Sequence, residues 1–193
     1  MAIALLVGLG NPGARYTETR HNAGFWLLDA LAAREGVSFS AESRFNGELA
    51  KVVMGGRDLR LLKPTTFMNH SGQSVGAVAR YFNLKPEQIL VAHDEIDLPV
   101  GVMRLKTGGG HAGHNGLRDI VAHLSSNAFH RVRIGVGRPQ HPNEKVVDYV
   151  LHRAGQDERI SIDRGLDAVI AELPEILSGN LEKSMQRLHT ATE

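Results

Sequence analysis

Short apolar runs alternate with amphipathic stretches along the chain, and this pattern predicts an α/β fold. Some runs are continuously apolar, as in strands buried on both faces, and others alternate apolar with polar positions, as in half-exposed strands. The predicted strands cover residues 3–7, 49–54, 59–62, 89–92, 102–106 and 131–136. The second and third flank Gly55-Gly56-Arg57-Asp58, a hairpin signal, so we predict a mixed sheet rather than an all-parallel one.

Apolar residues at helical spacing predict five helices between and after these strands. They cover residues 22–35, 71–83, 117–124, 157–173 and 181–188. Gly36 is predicted to stop the first helix, Ser71 to cap the second, and Pro174 to separate the last two; residues 139–146 are predicted as a loop. We expect residues 1–193 to form a single domain, a mixed twisted sheet flanked by helices on both faces, with the C-terminal helices packed on the same domain.

Composition is typical of a globular protein and excludes several kinds of site. Hydrophobic residues make up 42% of the 193 residues, and the absence of cysteine excludes disulfides, thiolate metal sites and a cysteine nucleophile. No apolar run approaches membrane-spanning length and no signal-peptide pattern opens the chain, so we expect a cytoplasmic protein with no membrane partner. Residues 98–153 hold eight basic and three acidic side chains, which suits either an anionic partner such as nucleic acid or a solvated surface.

A polar loop between the first predicted strand and the first helix carries a lone histidine, His21. In this loop Gly8, Gly10 and Gly13 match the spacing of the dinucleotide-binding fingerprint. That motif requires a helix that starts at the glycines, with the pyrophosphate at its N-terminus, whereas here Pro12 interrupts and the helical pattern begins only later. We therefore interpret these glycines as residues that let the backbone turn tightly and approach a ligand, not as a nicotinamide site.

His21 and Asp94 are the first candidates for catalysis. A histidine titrates near neutral pH and can act as a general base. Asp94 comes just past a buried strand, where a carboxylate is costly unless it has a partner. A histidine is a natural partner, because a carboxylate fixes the imidazole tautomer. The alternatives are a solvated loop histidine and an aspartate that caps a loop or pairs with an arginine.

Asparagines occupy equivalent places in three loops that join a strand to a helix: Asn11, Asn69 and Asn115. An amide side chain offers both a donor and an acceptor, so three of them at one mouth would suit an amide- or ester-bearing substrate, whereas each alone is an ordinary turn residue. Ser71 and Ser74 lack the Gly-x-Ser-x-Gly elbow of acyl-serine hydrolases. Direct attack by an activated water is therefore the simpler chemistry.

A metal site is the competing interpretation of the histidines and acids in this chain. The residues that suggest it are His93, Asp94, Glu95, Asp97, His111 and His114. No His-Glu-x-x-His motif occurs, and the His111-x-x-His114 pair follows a triglycine stretch rather than lying on a helix. We therefore predict that the chain holds no metal ion.

Five long blocks carry the motifs described so far: Gly8–Phe25, Lys63–Gly72, His93–Gly101, Gly108–Gly116 and Phe129–Pro139. Together, in this order and spacing, they resemble the signature blocks of the bacterial peptidyl-tRNA hydrolases, and the resemblance covers essentially the whole chain. It implies a monomeric α/β enzyme with no cofactor and no obligate protein partner. Such an enzyme hydrolyses the ester between a peptide and the terminal ribose of tRNA, which recycles tRNA from prematurely dropped peptidyl-tRNA.

The resemblance also implies roles for individual residues. His21 matches the catalytic base, Asp94 its supporting carboxylate, and Asn11 the residue that distinguishes blocked from free α-amino groups. Substrate-contacting positions of the family fall on Tyr16, Phe67, Met68, Asn69 and Asn115.

Basic residues expected near the tRNA 5′-phosphate match Lys106 and Arg133, and Lys145 is the only lysine in the loop where the family has a further one. Two alternatives to this interpretation can be tested. A small nucleic-acid-binding protein would bind tRNA through the same basic segment without releasing peptide. A metal-dependent hydrolase would lose its activity to a chelator.

Overall fold

The computed structural model describes residues 1–192, and within them seven strands form one mixed sheet. The strands are β1 (Leu5–Gly8), β2 (Ser40–Glu42), β3 (Gly47–Met54), β4 (Arg57–Pro64), β5 (Ile89–Glu95), β6 (Met103–Thr107) and β7 (His130–Gly135). Their order across the sheet is β2-β3-β4-β1-β5-β7-β6. The four central strands run parallel, while β3 pairs antiparallel with β4 and β6 with β7. The predicted mixed sheet is confirmed.

Six α-helices accompany the sheet within the same residues. They are α1 (Ala23–Glu35), α2 (Ser71–Tyr81), α3 (Asn115–Leu124), α4 (Val146–Val150), α5 (Gln156–Ile176) and α6 (Glu182–Ala191). One hydrophobic cluster joins the sheet to α1, α5 and α6, and a second joins it to α2 and α3. Helices therefore cover both faces of the sheet, as predicted. No helix in residues 1–192 combines the length and the apolar character needed to span a bilayer.

The central strand β1 shows why its sequence is continuously apolar. Successive side chains of a strand point to opposite faces. Leu5 and Val7 pack in the cluster under α2 and α3, whereas Leu6 packs in the cluster under α1, α5 and α6. All three side chains are fully buried. A strand in this position needs apolar residues on both faces, and the sequence provides them.

Three local predictions differ from the structure. Helix α5 continues through Pro174, because this proline lies in its last turn, where the buried Leu173 and Ile176 hold the segment against the core. No element was predicted for the residues of β2, and α4 begins at residue 146, where the predicted loop ends. Ser71 begins α2 but does not cap it, since its hydroxyl donates to the Met68 carbonyl at 2.7 Å.

The sheet topology gathers the candidate residues at one edge. Strands β4 and β5 lie on opposite sides of β1, and the three run parallel, so their carboxyl ends share that edge. Ligands of open α/β sheets bind in the crevice outside this edge. The loops that leave β1 and β4 carry His21 and Asn69, and the end of β5 carries Asp94.

Candidate active site

His21 is held in place by the residues on either side of it. It lies in a single helical turn, Arg20–Asn22, immediately before α1. The Asn22 side chain accepts a hydrogen bond from the backbone N–H of Asn11 at 2.8 Å and donates to the Asn11 carbonyl at 3.0 Å. Arg20 donates to the Tyr149 carbonyl and pairs with Glu158 at 3.0 Å. The turn that carries His21 is therefore fixed to the β1 loop on one side and to the α4–α5 region on the other.

Asp94 is shared by two histidines. Its side chain is only 2% exposed, and it lies within β5 rather than just past the strand, which corrects the sequence-based boundary. The Nδ1 atom of His21 is 2.9 Å from Asp94 Oδ2, and the Nε2 atom of His114 is 2.8 Å from Asp94 Oδ1. A buried carboxylate needs such donors, because burial without them is costly. The pairing of His21 with Asp94, inferred from the sequence alone, is present.

The hydrogen-bond network fixes the tautomer of each ring. His114 Nδ1 accepts the backbone N–H of Leu117 at 3.3 Å, which caps α3, so its proton must lie on Nε2, facing Asp94. His21 directs Nδ1–H to the same carboxylate, which leaves the lone pair on Nε2. His21 therefore offers a basic nitrogen, whereas both nitrogens of His114 are committed.

Burial and charge act in opposite directions on the pKa values of this cluster. Burial alone would lower the pKa of His21, but the charge of Asp94 and its hydrogen bond raise it above the ordinary value. Burial would raise the pKa of Asp94, but His21 and His114 together hold it well below its usual range. Burial, reinforced by the neighbouring His114, lowers the pKa of His93 to about 3. Near neutral pH Asp94 is therefore ionised and His93 is neutral.

A cleft of about 470 Å³ opens beside this cluster. His21, Asp94 and Asn115 line it, and Val146 and Val147 of α4 contribute an apolar wall. The start of α4, which directly follows the predicted loop, therefore forms one side of the candidate site. The arrangement combines a base, a buried carboxylate, an amide and an apolar surface around one open volume.

A second group of predicted residues lies beside Asn11. The Asn11 side chain is buried, and its Oδ1 accepts the backbone N–H of Met68 at 2.7 Å, which leaves its NH₂ group as a donor. Met68 is buried too, and a Cβ on Gly116 would lie 2.6 Å from its sulfur, so the β4 loop contacts the start of α3. Asn69, the next residue, is exposed.

Tyr16 and Phe67 form an aromatic pair on neighbouring loops. Their ring centroids are 6.3 Å apart in an edge-to-face arrangement, and Phe67 is 56% exposed. An exposed aromatic residue that is held by a second ring offers a flat apolar surface to a ligand. The pair connects the β1 loop to the β4 loop at the same edge of the sheet as His21.

Lys106 and Arg133 lie outside the residues that line this cleft. Lys106 is exposed near the end of β6, and Arg133 lies on β7, where it pairs with Glu95 at 3.0 Å. Arg104 is the cross-strand partner of Arg133, and residues paired in this way point to the same face of a sheet. The basic residues therefore form a strip on β6 and β7. Lys145 is exposed just before α4 and does not line the cleft.

His114 and Asn22 are the site residues that the sequence analysis did not assign. His114 was considered only as a metal ligand, and Asn22 only as the start of a helix. A carboxylate has two oxygens, each of which accepts more than one hydrogen bond, so counting acceptors on Asp94 would have indicated a second donor. The sequence contains no comparable signal for Asn22.

The side chains of His21, Asp94 and His114 are also the candidate metal ligands in residues 1–192. One ligand atom each from His21, Asp94 and His114 lies within 4.8 Å of the others. Two imidazoles and a carboxylate are a donor set that suits zinc. A metal ion here would have to replace the protons that His21 and His114 donate to Asp94, so metal binding and the hydrogen-bonded arrangement are mutually exclusive.

Comparison with known proteins identifies the family. A family model described as peptidyl-tRNA hydrolase matches residues 5–193. The chain belongs to the peptidyl-tRNA hydrolase family. Peptidyl-tRNA hydrolase from Halorhodospira halophila is 52% identical over 96% of this chain and 95% of its own length, and that from Nitrosomonas europaea is 52% identical over 100% and 98%. The resemblance inferred from the five sequence blocks is therefore confirmed.

Solved structures support the same assignment to the peptidyl-tRNA hydrolases. The crystal structure of peptidyl-tRNA hydrolase from Acinetobacter baumannii superposes with a TM-score of 0.92 and 45% sequence identity, covering 97% of this chain and 94% of that one. The predicted α/β fold and the predicted enzyme class are therefore both confirmed: this peptidyl-tRNA hydrolase family member has the architecture of its solved relative.

Proposed function

We propose that this chain hydrolyses the ester of peptidyl-tRNA by direct attack of a water molecule that His21 activates. The observation that carries the proposal is the shared carboxylate: Asp94 accepts hydrogen bonds from His21 Nδ1 and His114 Nε2, which leaves Nε2 of His21 as a base beside the cleft. Abstraction of a proton from a weak nucleophile such as water requires a base in the correct tautomer. A buried carboxylate that is hydrogen-bonded to the other ring nitrogen fixes that tautomer.

The proposed reaction balances with water as the only co-reactant. His21 Nε2 takes a proton from water while the water oxygen forms a bond to the ester carbonyl carbon. The bond from that carbon to the ribose oxygen then breaks, and the proton held by His21 passes to the ribose oxygen. Asp94 stabilises the transient imidazolium and does not itself transfer a proton. No acyl-enzyme forms, and the buried Ser71 and Ser74 are both shielded from the cleft.

The remaining predicted residues take binding roles in this proposal. Asn115 lines the cleft, and we assign its amide, with that of Asn69, to the ester and the terminal ribose. The free NH₂ of Asn11 donates to the carbonyl of the blocked α-amino group, a contact that a free α-ammonium does not offer. The Tyr16–Phe67 pair and Met68 form the neighbouring apolar surface.

Lys106 and Arg133 bind the tRNA phosphates, since the basic strip on β6 and β7 lies beside the cleft rather than in it. Phosphate contacts of this kind position a nucleic acid without reading its sequence. We propose that the protein acts as a monomer, because all assigned residues lie on one chain.

One experiment tests the function and its two alternatives. Wild-type protein is incubated with N-acetyl-aminoacyl-tRNA and with aminoacyl-tRNA, each with and without EDTA. The proposal expects release of the N-acetyl-amino acid in both buffers and little cleavage of aminoacyl-tRNA. Activity lost to EDTA and restored by zinc would instead assign His21, Asp94 and His114 to a metal. Tight tRNA binding without hydrolysis would indicate a binding protein.

The covalent alternative needs its own measurement. Acid-quenched protein from a single turnover is examined by intact mass spectrometry, and an acyl adduct would contradict direct attack by water.

The role of His21 as the base is tested by the substitution His21→Ala. His123→Ala serves as its matched control, because His123 is a half-exposed histidine on α3 that pairs with Asp119 away from the cleft.

A further inference from the structure

Arg131 is a buried cation whose guanidinium bonds to the backbone carbonyls of a loop rather than to a carboxylate. It lies on β7 and is only 2% exposed. Its Nη1 donates to the Gly110 carbonyl at 2.6 Å and its Nη2 to the Gly109 carbonyl at 2.8 Å. The nearby carboxylate of Glu95 pairs with Arg133 instead. Within residues 1–192 the Nε–H of Arg131 has no partner. Burying a guanidinium in this way is costly, so the contact with the loop needs a reason.

The loop that Arg131 holds is one that few other contacts can order. Gly108, Gly109 and Gly113 have positive φ angles, and so does Ala112, for which this conformation is strained. A run of glycines has no side chains to pack and loses much conformational freedom when it is ordered. Asn127 adds one further bond to the Gly109 carbonyl, at 3.1 Å. The forked guanidinium can hold two adjacent carbonyls at once, which an ammonium or an amide cannot do as rigidly.

This loop joins the two parts of the proposed site. At one end Lys106 lies against it, since a Cβ on Gly109 would be 2.7 Å from the Lys106 Nζ. At the other end are His114, which donates to Asp94, and Asn115, which lines the cleft. The backbone between these ends supports the Lys106 side chain at Gly109 and leads directly into His114 and Asn115.

We propose that Arg131 is a positioning residue: by clamping the carbonyls of Gly109 and Gly110 it sets Lys106 for the tRNA and His114 with Asn115 for the ester. The proposal extends the proposed function and rests on it for its kinetic predictions. Arg131 touches neither the substrate nor Asp94 in this role. It acts only through the loop between them.

The test compares Arg131→Met with Lys106→Ala on two substrates. One substrate is N-acetyl-aminoacyl-tRNA, and the other is N-acetyl-aminoacyl-adenosine, which has the ester but no phosphates. Lys106→Ala is expected to raise KM for the tRNA substrate only. Arg131→Met is expected to lower kcat on both substrates by about 10²-fold, the effect of a misplacement near 1 Å in a catalytic site. Arg131→Lys should recover part of that loss, because it keeps the charge but not the fork.

A control variant and a second measurement separate a positioning role of Arg131 from general destabilisation of the protein. Val169→Ala removes buried volume from α5, in the cluster on the other face of the sheet, and should leave kcat unchanged at temperatures below its melting transition. Amide hydrogen exchange is expected to accelerate over 108–115 in Arg131→Met and, to a lesser degree, in Arg131→Lys, but not in Val169→Ala. Hydrogen exchange reports how well the loop is ordered, independently of catalytic activity. If Arg131→Met is too unstable for kinetic measurements, exchange in Arg131→Lys still tests the clamp.

The outcomes distinguish this proposal from the proposed function. If the wild-type protein hydrolysed neither substrate, the proposed function would fail, while exchange would still measure the clamp. Unchanged exchange in both Arg131 variants would overturn the clamp. Faster exchange with an unchanged kcat on the adenosine ester would overturn the link to His114 and Asn115, and would restrict Arg131 to the tRNA side of the loop.

Discussion

Asp94→Asn tests the centre of the proposed mechanism, because it keeps the shape of the side chain and changes only charge and hydrogen-bonding capacity. In the native arrangement His21 Nδ1 lies 2.9 Å from Asp94 Oδ2 and 3.0 Å from Oδ1, and His114 Nε2 lies 2.8 Å from Oδ1. An asparagine can accept on one side only, and its NH₂ group must face a ring nitrogen on the other. Where it faces His21, the Nδ1 atom must accept, the proton moves to Nε2, and the base is lost.

The magnitude follows from the short separation of the charges. For an imidazolium and a carboxylate whose centres are roughly 4 Å apart, an effective dielectric constant of about 20 gives an attraction of about 4 kcal/mol. Without Asp94 only the effect of burial on His21 remains, and its pKa should fall below the ordinary value. The loss of the correct tautomer should lower kcat by about 10⁴-fold, by analogy with the serine-protease triad.

The assay is the pH profile of kcat/KM for N-acetyl-aminoacyl-tRNA over roughly pH 5–9, the range that brackets histidine titration. The base must be neutral, so wild-type activity should rise with pH through the raised pKa of His21, above 6.5. In Asp94→Asn the residual activity should rise at a lower pH. Asp58→Asn, in an exposed carboxylate that pairs with Lys51 on the hairpin, is the matched control and should change neither quantity.

Two results would refute the reasoning. An acid limb at the same pH in both proteins would mean that His21 is not the group whose ionisation limits the reaction. A change in KM alone, with kcat preserved, would assign Asp94 to recognition of the tRNA rather than to catalysis. Circular dichroism and thermal melting must show a folded variant in either case.

Four further substitutions test the other assigned residues. His21→Ala should keep the melting temperature and lower kcat by about 10²–10⁴-fold; near-normal turnover would exclude it as the base. Lys106→Ala should lower the slope of the logarithm of the tRNA-binding constant against the logarithm of salt concentration by up to about 0.9. Arg133→Ala should weaken tRNA binding further, because it leaves the Glu95 carboxylate unpaired. Unchanged slopes in both variants would place the tRNA on another surface. Asn11→Asp should narrow the gap in kcat/KM between N-acetyl-aminoacyl-tRNA and aminoacyl-tRNA, because a carboxylate attracts the α-ammonium; equal losses on both would make Asn11 structural.

Periodicity predicted the layers of this fold well, and it failed where elements are short or where packing overrides a local signal. The alternation of buried strands and helices can be predicted without knowledge of tertiary contacts, because β1 and α2 each carry a complete apolar pattern. The three residues of β2 and the five of α4 are too few to show a period. Pro174 is a helix stop in isolation, but the neighbouring Leu173 and Ile176 are buried, so the helix continues past it.

The site was predictable to the extent that one residue demands another. A carboxylate at the end of a buried strand requires a donor, and this requirement led from Asp94 to His21 without any structure. It did not lead to His114, because a sequence indicates that a partner is needed but not how many will fit around it. Arg131 was equally hidden, since a basic residue in an alternating strand is ordinarily exposed, and only the topology places it under the glycine loop.

The sharing of Asp94 gives the two histidines different chemical roles, although each donates to the same carboxylate. The difference comes from what lies on the far side of each ring. His114 accepts the N–H of Leu117 with Nδ1, so protonating it there would cost the cap of α3. His21 has no such bond on Nε2 within residues 1–192, and that nitrogen is free to take a proton. In the proposed mechanism the helix that begins after His114 therefore decides which histidine is the base, because the Leu117 N–H occupies the ring nitrogen of His114 that would otherwise accept a proton.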